Sequence, residues 1–418
     1  MNYHEYSFSW NKKSKHKFSL KVLNWLQQFS TFIFLDSNEY NDPYGRYELL
    51  IGVGVHHDFQ QLEDLPKNTW LFGHHEFPAS NLENTTDWKS CFFFQPEIVI
   101  AIPRNAVEGV LYSIHENPKW IYQEIEQSEI EDYQPPFFNH FEKGQWSLNF
   151  EEYQKSVSAI QQWIKEGKCK ELNFCVEYSW NEEILHPNNV YHHINQSNPC
   201  PFSFYYKKEN MHAFSTSPER FFSLTESVLR TQPIKGTIKR GETATEDLKL
   251  QQKLLADPKE RFENETITKM VFEELNAMKS SPEVSIVKSL EIHTFPTLHH
   301  LISTIEAQFE QRPNLTEVFQ ALFPMGSMTG DPKDEVLSLT HQIEATERGL
   351  YSGTIGYQDL SGAWDFNVVI RTLIYNEAQK KCSFHTGGAI TSFTNADREW
   401  EEIQLKASFF KETLNRTY

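Results

Sequence analysis

The chain has 418 residues, with 39 basic side chains against 57 acidic ones, a net charge of -18. That balance argues against a general nucleic-acid binder, because nothing offsets repulsion by phosphates, but it allows a small anionic substrate met by a few local cations. Aromatic residues make up 14% of the chain, including 32 Phe, enough for roughly two or three domain-sized cores. Five cysteines at positions 91, 169, 175, 200 and 382 form no CxxC. An odd, scattered set suggests neither a disulfide framework nor a zinc ribbon and fits a reducing compartment. The opening "MNYHEYSFSWNKKSKHKFSL" lacks the apolar core of a signal peptide. No apolar run approaches the roughly 18 residues of a membrane helix. A cytoplasmic protein without membrane or nucleic-acid partners is expected.

Up to about residue 125 the chain reads as strands: "FSTFIFLDSN", "RYELLIGVGV" and "SCFFFQPEIVIAIPR" are apolar runs bounded by turn residues. The acidic, Pro-bearing "EIEQSEIEDYQPPFFNHFEKGQ" is the best linker candidate. "NFEEYQKSVSAIQQWIKEGK" reads as a helix from Asn149 capped near Gly167. Strands follow in "CKELNFCVEYSW", "PFSFYYKK", "HAFSTS" and "RFFSLTESVLRTQPIKG". Helices are expected over about 257–278, from about Asn314, and from about Asn395 to Leu414. "GLYSGTIGYQDLSGAWDFNVVIRTLIYN" reads as a Gly-punctuated hairpin and "CSFHTGGAIT" as another strand. This is a mixed strand-and-helix chain, not a regular βαβ alternation.

Several constellations carry possible chemistry. In "TQPIKGTIKRG", Lys235 sits between a strand and the flexible Gly236. It is either a solvated surface group or a desolvated amine able to act as a nucleophile. "KERFEN" and "DREWEEIQLKA" place Glu260/Glu263 and Glu399/Glu402 three apart on predicted helices, each pair on one face. If the faces meet, four carboxylates need a cation and suit Mg²⁺; otherwise they are ordinary solvated pairs. Glu219 in "STSPERFF" is a turn glutamate, or a general acid if burial raises its pKa. "FPMGSMTGDPK" offers the hydroxyls of Ser327 and Thr329 and backbone N–H groups to an anion, without being a P-loop. Arg371 in "FNVVIRT" needs an anionic partner if buried. Gly387 and Gly388 in "HTGGAIT" allow close backbone approach, or mark a bulge. The four adjacent His–His pairs would point to opposite strand faces, which discounts them as zinc ligands.

Taken together, "SPERFF", "PIKGT", "DPKERFEN", "FPTLHHLIST", "FPMGSMTGDPK", "ERGLYSGTIGY", "VVIRT" and "DREWEEIQLKA" resemble the chorismate-utilising enzymes. That family includes the component I chains of anthranilate and aminodeoxychorismate synthases and the isochorismate and salicylate synthases. The motifs occur in the family's order over about Asn149 to Leu414. The resemblance implies an α/β (α+β) fold of two large antiparallel sheets packed face to face with helices outside. Residues 1–140 would be a β-rich part of the same sandwich, and 141–418 the chorismate-binding catalytic region. A lysine in "PIKGT" marks the aminodeoxychorismate synthases, so the resemblance implies that Lys235 forms a covalent adduct with chorismate that ammonia displaces. It further implies Glu219 as the acid for the leaving hydroxyl. Glu263 and Glu402 are implied as Mg²⁺ ligands, with Glu260 and Glu399 holding metal-bound waters. Arg371, Tyr351 and the backbone near Gly387 would hold the enolpyruvyl carboxylate, with His300, Thr237 and Lys406 at further pocket positions. No amidotransferase segment is evident, so ammonia is expected from a separate glutamine amidotransferase subunit. Anthranilate synthase component I, and a non-catalytic chorismate- or partner-binding homologue, are the alternatives.

The chain departs from the family pattern at Lys269, Glu273 and Glu274, which replace the run expected after "ERFEN", and at Ala389, Phe393 and Thr394. Glu171 stands where amine-transferring members usually carry glutamine and water-adding members a basic lysine.

Overall fold

The computed structural model describes residues 3–80, 88–129, 136, 138 and 140–414. Most of the expected linker's Pro-bearing centre (130–135, 137 and 139) lies outside them. Every strand pairing is antiparallel, within a 12-stranded and a 10-stranded sheet. The first part of the chain feeds both. Strands His4–Ser9, Thr31–Asp36, Tyr47–Val53, Ile98–Pro103 and Glu108–Ser113 join the larger sheet, while His57–Phe59, Leu71–His75 and Cys91–Gln95 join the smaller.

The apolar runs are continuous because these strands are covered on both faces. Ile33, Leu50, Val99 and Ala101 turn inward against Phe72, Phe92 and Phe94 of the smaller sheet. Their neighbours Phe32, Phe34, Leu49, Ile51, Ile98 and Ile100 face outward under helices. A Cβ on Gly52 would lie 2.5 Å from the Phe72 ring, so glycine there lets the ring seat between the sheets. Helices Lys15–Trp25, Pro118–Gln127, Pro187–Ser197 and Ala396–Leu414 cover the larger sheet. Helices Pro258–Asn276 and Leu315–Leu322 cover the smaller. No described helix is long and apolar enough to cross a membrane, and all five cysteines are free and buried.

The expected helices occur at Phe150–Lys165, Pro258–Asn276, Leu315–Leu322 and Ala396–Leu414. Asn149 and Glu152 close a capping box on the first. The all-strand reading of the first part is corrected: Lys15–Trp25 and Pro118–Gln127 are helices. The first opens on lysines that hide the spacing of Phe18, Val22 and Trp25. "RFFSLTESVLRTQPIKG" is three strands, Arg220–Thr225, Val228–Thr231 and Ile234–Lys239. Helices Pro187–Ser197 and Ala244–Ala256 and the hairpin of Glu283–Thr294 with Leu298–Gln308 were not anticipated. Glu283–Thr294 lies at the edge of the smaller sheet, among the described residues pairs only with Leu298–Gln308, and is largely polar.

Two of the chain's crossings between the sheets run side by side. Met211–Ser217 of the larger sheet passes through Pro218 and Glu219 to Arg220–Thr225 of the smaller. Trp364–Asn367 of the smaller returns through Val368–Arg371 to Thr372–Asn376 of the larger. The crossings are laced by Thr216 N donating to Arg371 O (3.2 Å), Val368 N to Glu219 O (3.0 Å) and Ser217 Oγ to Val368 O (2.6 Å). Beneath them Arg220 is buried between Asp42 (2.6 Å), which follows a strand of the larger sheet, and Asp365 (2.9 Å) of the smaller. Its guanidinium also donates to Gln232 and lies over the Phe202 ring. Removing one member leaves uncompensated buried charge. Arg220→Leu should therefore lower unfolding free energy by about 3–5 kcal/mol in urea titrations; a loss under about 1 kcal/mol would contradict this role for the clamp.

Candidate active site

Glu219 sits on the first crossing with its carboxyl buried. Oε1 accepts from Ser327 Oγ (3.2 Å) and Ile234 N (3.4 Å). Burial pushes its pKa up to about 7, against the opposing pull of the Ile234 N–H, Lys235, Ser327 and Arg371. A carboxylic acid that keeps its proton near neutrality is suited to protonating a departing hydroxyl.

Lys235 follows Ile234. The pairing of this strand with Leu298–Gln308 slips between Ile234 and Thr237, so Lys235 and Gly236 form a bulge. Gly236 has φ +91°, and a Cβ there would lie 3.2 Å from Glu260 Oε2. The Lys235 side chain is 15% exposed, with Nζ 3.8 Å from Glu171 Oε1. Asn264 ties the bulge down, donating to Lys235 O (3.3 Å) and Leu301 O (2.9 Å) while accepting from Ser303 Oγ (2.6 Å). Sequence reasoning quoted Asn264 within a motif but missed this work; its place one helical turn after Glu260 was the available signal.

Arg371 ends the second crossing at φ +51°, a costly conformation for a residue other than glycine. Its Nη2 lies 3.2 Å from His300 Nε2, and His300 Nδ1 lies 2.8 Å from Thr237 Oγ1. Arginine only donates, so Nε2 accepts and Nδ1 carries the proton toward Thr237. Burial, then Arg371, holds the His300 pKa well below its ordinary value. The imidazole is neutral and orients a cationic Arg371.

The carboxylate pairs project from helices Pro258–Asn276 and Ala396–Leu414. Burial and the neighbouring Glu263 raise Glu260; burial and Glu402 raise Glu399. Burial would raise Glu402, but Lys406, Lys259 and Lys235 hold it below its ordinary value. Lys259, which burial would lower, is raised by Glu263, Glu399, Glu260 and Glu402 together, so all four carboxylates share one electrostatic neighbourhood. Lys406 pairs with Glu402 at 2.9 Å and donates to Gly387 O at 2.8 Å. A Cβ on Gly388 would lie 2.6 Å from Glu399 Oε2, and one on Gly387 2.3 Å from Phe174 O. Among the described residues no three ligating side chains are already gathered as a cage. The donor chemistry, all oxygen and mutually repelling, nevertheless fits an oxygen-seeking divalent cation.

Not every expected residue faces this space. Thr329 is fully buried and its hydroxyl donates to Met325 O (2.9 Å), closing its own loop. That corrects its assignment to an anion. Ser327 spends its hydroxyl on Glu219. Tyr351 is buried, stacked on His385 and set against Cys175, whose sulfur borders Gly387. Among the departures, Lys269 and Glu273 form an exposed pair and Phe393 is 96% exposed, while Glu274 pairs with Lys333 at 2.6 Å.

The chorismate binding enzyme family model matches residues 41–412. The chain is 35% identical over 261 residues to the chloroplastic aminodeoxychorismate synthase of Arabidopsis thaliana, covering 61% of this chain and 28% of that protein. It is 32% identical over 277 residues to aminodeoxychorismate synthase component 1 of Escherichia coli, covering 65% and 60%. It is 28% identical over 268 residues to anthranilate synthase component 1 of Aquifex aeolicus, covering 63% and 53%. These matches thus span between about a quarter and three fifths of the relatives' own length. The menaquinone-specific isochorismate synthase of Escherichia coli superposes with a TM-score of 0.80 at 16% identity, covering 99% of this chain and 95% of that one, a likeness of fold. The chain belongs to the chorismate binding enzyme family.

The Glu219 carboxyl imposes a signed pH dependence. Below about pH 4.5 it is protonated folded or unfolded. As pH rises to about 7 the unfolded chain loses that proton and the folded one keeps it, so stability falls. Glu219→Gln should therefore gain on the wild type by on the order of 3 kcal/mol across that window. Denaturant melts at pH 4.5 and 7.5 read this directly, and a constant difference would place the carboxyl in water.

Proposed function

We propose that the protein is the chorismate-aminating component of an aminodeoxychorismate synthase, acting on the route to 4-aminobenzoate and folate. One observation carries this reading: a partly buried lysine amine in a strand bulge, electrostatically coupled to a buried carboxylic acid that titrates near neutrality. Lys235 attacks C2 of the chorismate ring while Glu219 protonates the C4 hydroxyl, which leaves as water. Ammonia then attacks C4 and expels the lysine, giving 4-amino-4-deoxychorismate. Covalent catalysis divides one difficult substitution into two easier ones.

Arg371, oriented by His300 and Thr237, and the backbone beside Gly387 receive the enolpyruvyl carboxylate, with Tyr351 behind. Mg²⁺ would be held by Glu263 and Glu402, with Glu260 and Glu399 on its waters, and would supply positive charge for the ring carboxylate. Ammonia is supplied by a separate glutamine amidotransferase subunit, and the setting is cytoplasmic.

The test is incubation with chorismate, Mg²⁺ and an ammonium salt, with products identified by liquid chromatography and mass spectrometry. 4-Amino-4-deoxychorismate is expected from the wild type, and neither product nor adduct from Lys235→Ala. Anthranilate would assign the chain to the anthranilate synthases, and Mg²⁺-dependent binding without turnover would make it a non-catalytic homologue. Glu402→Gln should raise the Mg²⁺ concentration needed for half-maximal activity by about tenfold or more; an unchanged titration would remove Glu402 from the metal site.

A further inference from the structure

Lys235 feels carboxyl groups from three elements: Glu171 on strand Glu171–Asn181, 3.8 Å away, and, through their charge, Glu219 on the sheet crossing and Glu402 on helix Ala396–Leu414. They are not equivalent. Glu219 is buried and bonded to Ser327 and the Ile234 N–H. Glu402 is paired with Lys406 at 2.9 Å. Glu171 is 3.8 Å from the amine, and among the described residues Lys235 is its only ion-pair partner. Its backbone is fixed on both sides. It pairs with Asp331, and a Cβ on Gly330 would lie 2.1 Å from Glu171 O; the adjacent Leu172 pairs with Ile390. The carboxylate is thus held beside the amine by the sheet itself.

An ordinary lysine is an ammonium at neutral pH and has no lone pair with which to attack carbon. We infer that Glu171 is the proton acceptor that frees the Lys235 amine and later returns its proton. This rests on the reading of Lys235 as nucleophile. Substrate covering the pair strips water from it. Desolvation shifts an ammonium–carboxylate pair toward amine and carboxylic acid. The proton passes from Nζ to Glu171. Nζ then bonds to C2, the ring double bonds shift, and the C4–O bond breaks with a proton from Glu219, releasing water. Ammonia bonds to C4, the double bonds shift back, and the C2–N bond breaks to release a neutral amine. Glu171 returns its proton to Nζ, and Glu219 recovers one from the new C4 ammonium. The sum is chorismate plus ammonia to aminodeoxychorismate plus water, with every protein group restored. One carboxyl serves each end of the displacement: Glu219 at the leaving oxygen, Glu171 at the attacking nitrogen.

The test is rapid-quench mass spectrometry with chorismate and Mg²⁺ but no ammonium, following the adduct on the Lys235 peptide at several pH values. Glu171→Gln should bind chorismate within about twofold of the wild type but form the adduct about 100-fold more slowly at pH 7. The wild-type-to-mutant ratio should shrink as pH approaches 10, where hydroxide deprotonates the amine, and Glu171→Asp should recover part of the rate. The ratio cancels the titration of Glu219, which both proteins share. A wild-type rate in Glu171→Gln, or a deficit equal at every pH, would overturn the inference while leaving the Lys235 adduct standing. Absence of any wild-type adduct on Lys235 would overturn the parent reading and this inference with it.

Discussion

The buried guanidinium of Arg220 is the point on which this architecture turns. It ties Asp42, beside the larger sheet, to Asp365 of the smaller, where the chain passes from one sheet to the other. Its neighbour in sequence is Glu219. A strand alternates its side chains, so adjacent residues serve opposite purposes. One fastens the sheets together and the other is presented to the site as a dry acid. Arg371 ends the neighbouring return crossing, laced to the first by backbone bonds. Glu219 and Arg371 are thus both set by the framework that spaces the sheets, and rigid elements hold side chains more exactly than loops do.

Charge is handled locally. A chain of net charge -18 would repel a dianion, yet Lys235, Arg371, Lys259 and Lys406 are gathered around the site. The four glutamates nearby are the counterpart. Burial, and then their mutual repulsion, raises Glu260 and Glu399, and a divalent cation would turn that repulsion into attraction. His300 contributes by remaining uncharged, so that it accepts from Arg371 instead of competing with it.

Much of this was legible in the sequence, for physical reasons. Strands buried on both faces appear as unbroken apolar runs, as in Phe32–Leu35 and Ile98–Ile102. Capped helices announce their starts, as at Asn149. The face-to-face packing came from the family resemblance, since periodicity alone does not say which strands share a sheet. The helix Lys15–Trp25 was hidden by lysines at its opening, and the edge strand Glu283–Thr294 by its polar face. Within the site, residue types were readable but neighbours were not. Glu171 and Lys235 are 64 positions apart and meet through different sheets. Thr329 looked like an anion donor because its hydroxyl's local partner, the Met325 carbonyl, has no signature in side-chain identity.

The order of strands within the sheets constrains how the chain acquires its shape. Strand Leu71–His75 pairs with Thr354–Gln358, and Met211–Ser217 with Thr372–Asn376. Strands made early therefore expose an open edge until segments made much later arrive. On a growing chain these apolar strand edges stay unpaired until the later segments are made. Such a protein favours slow, late condensation over stepwise assembly.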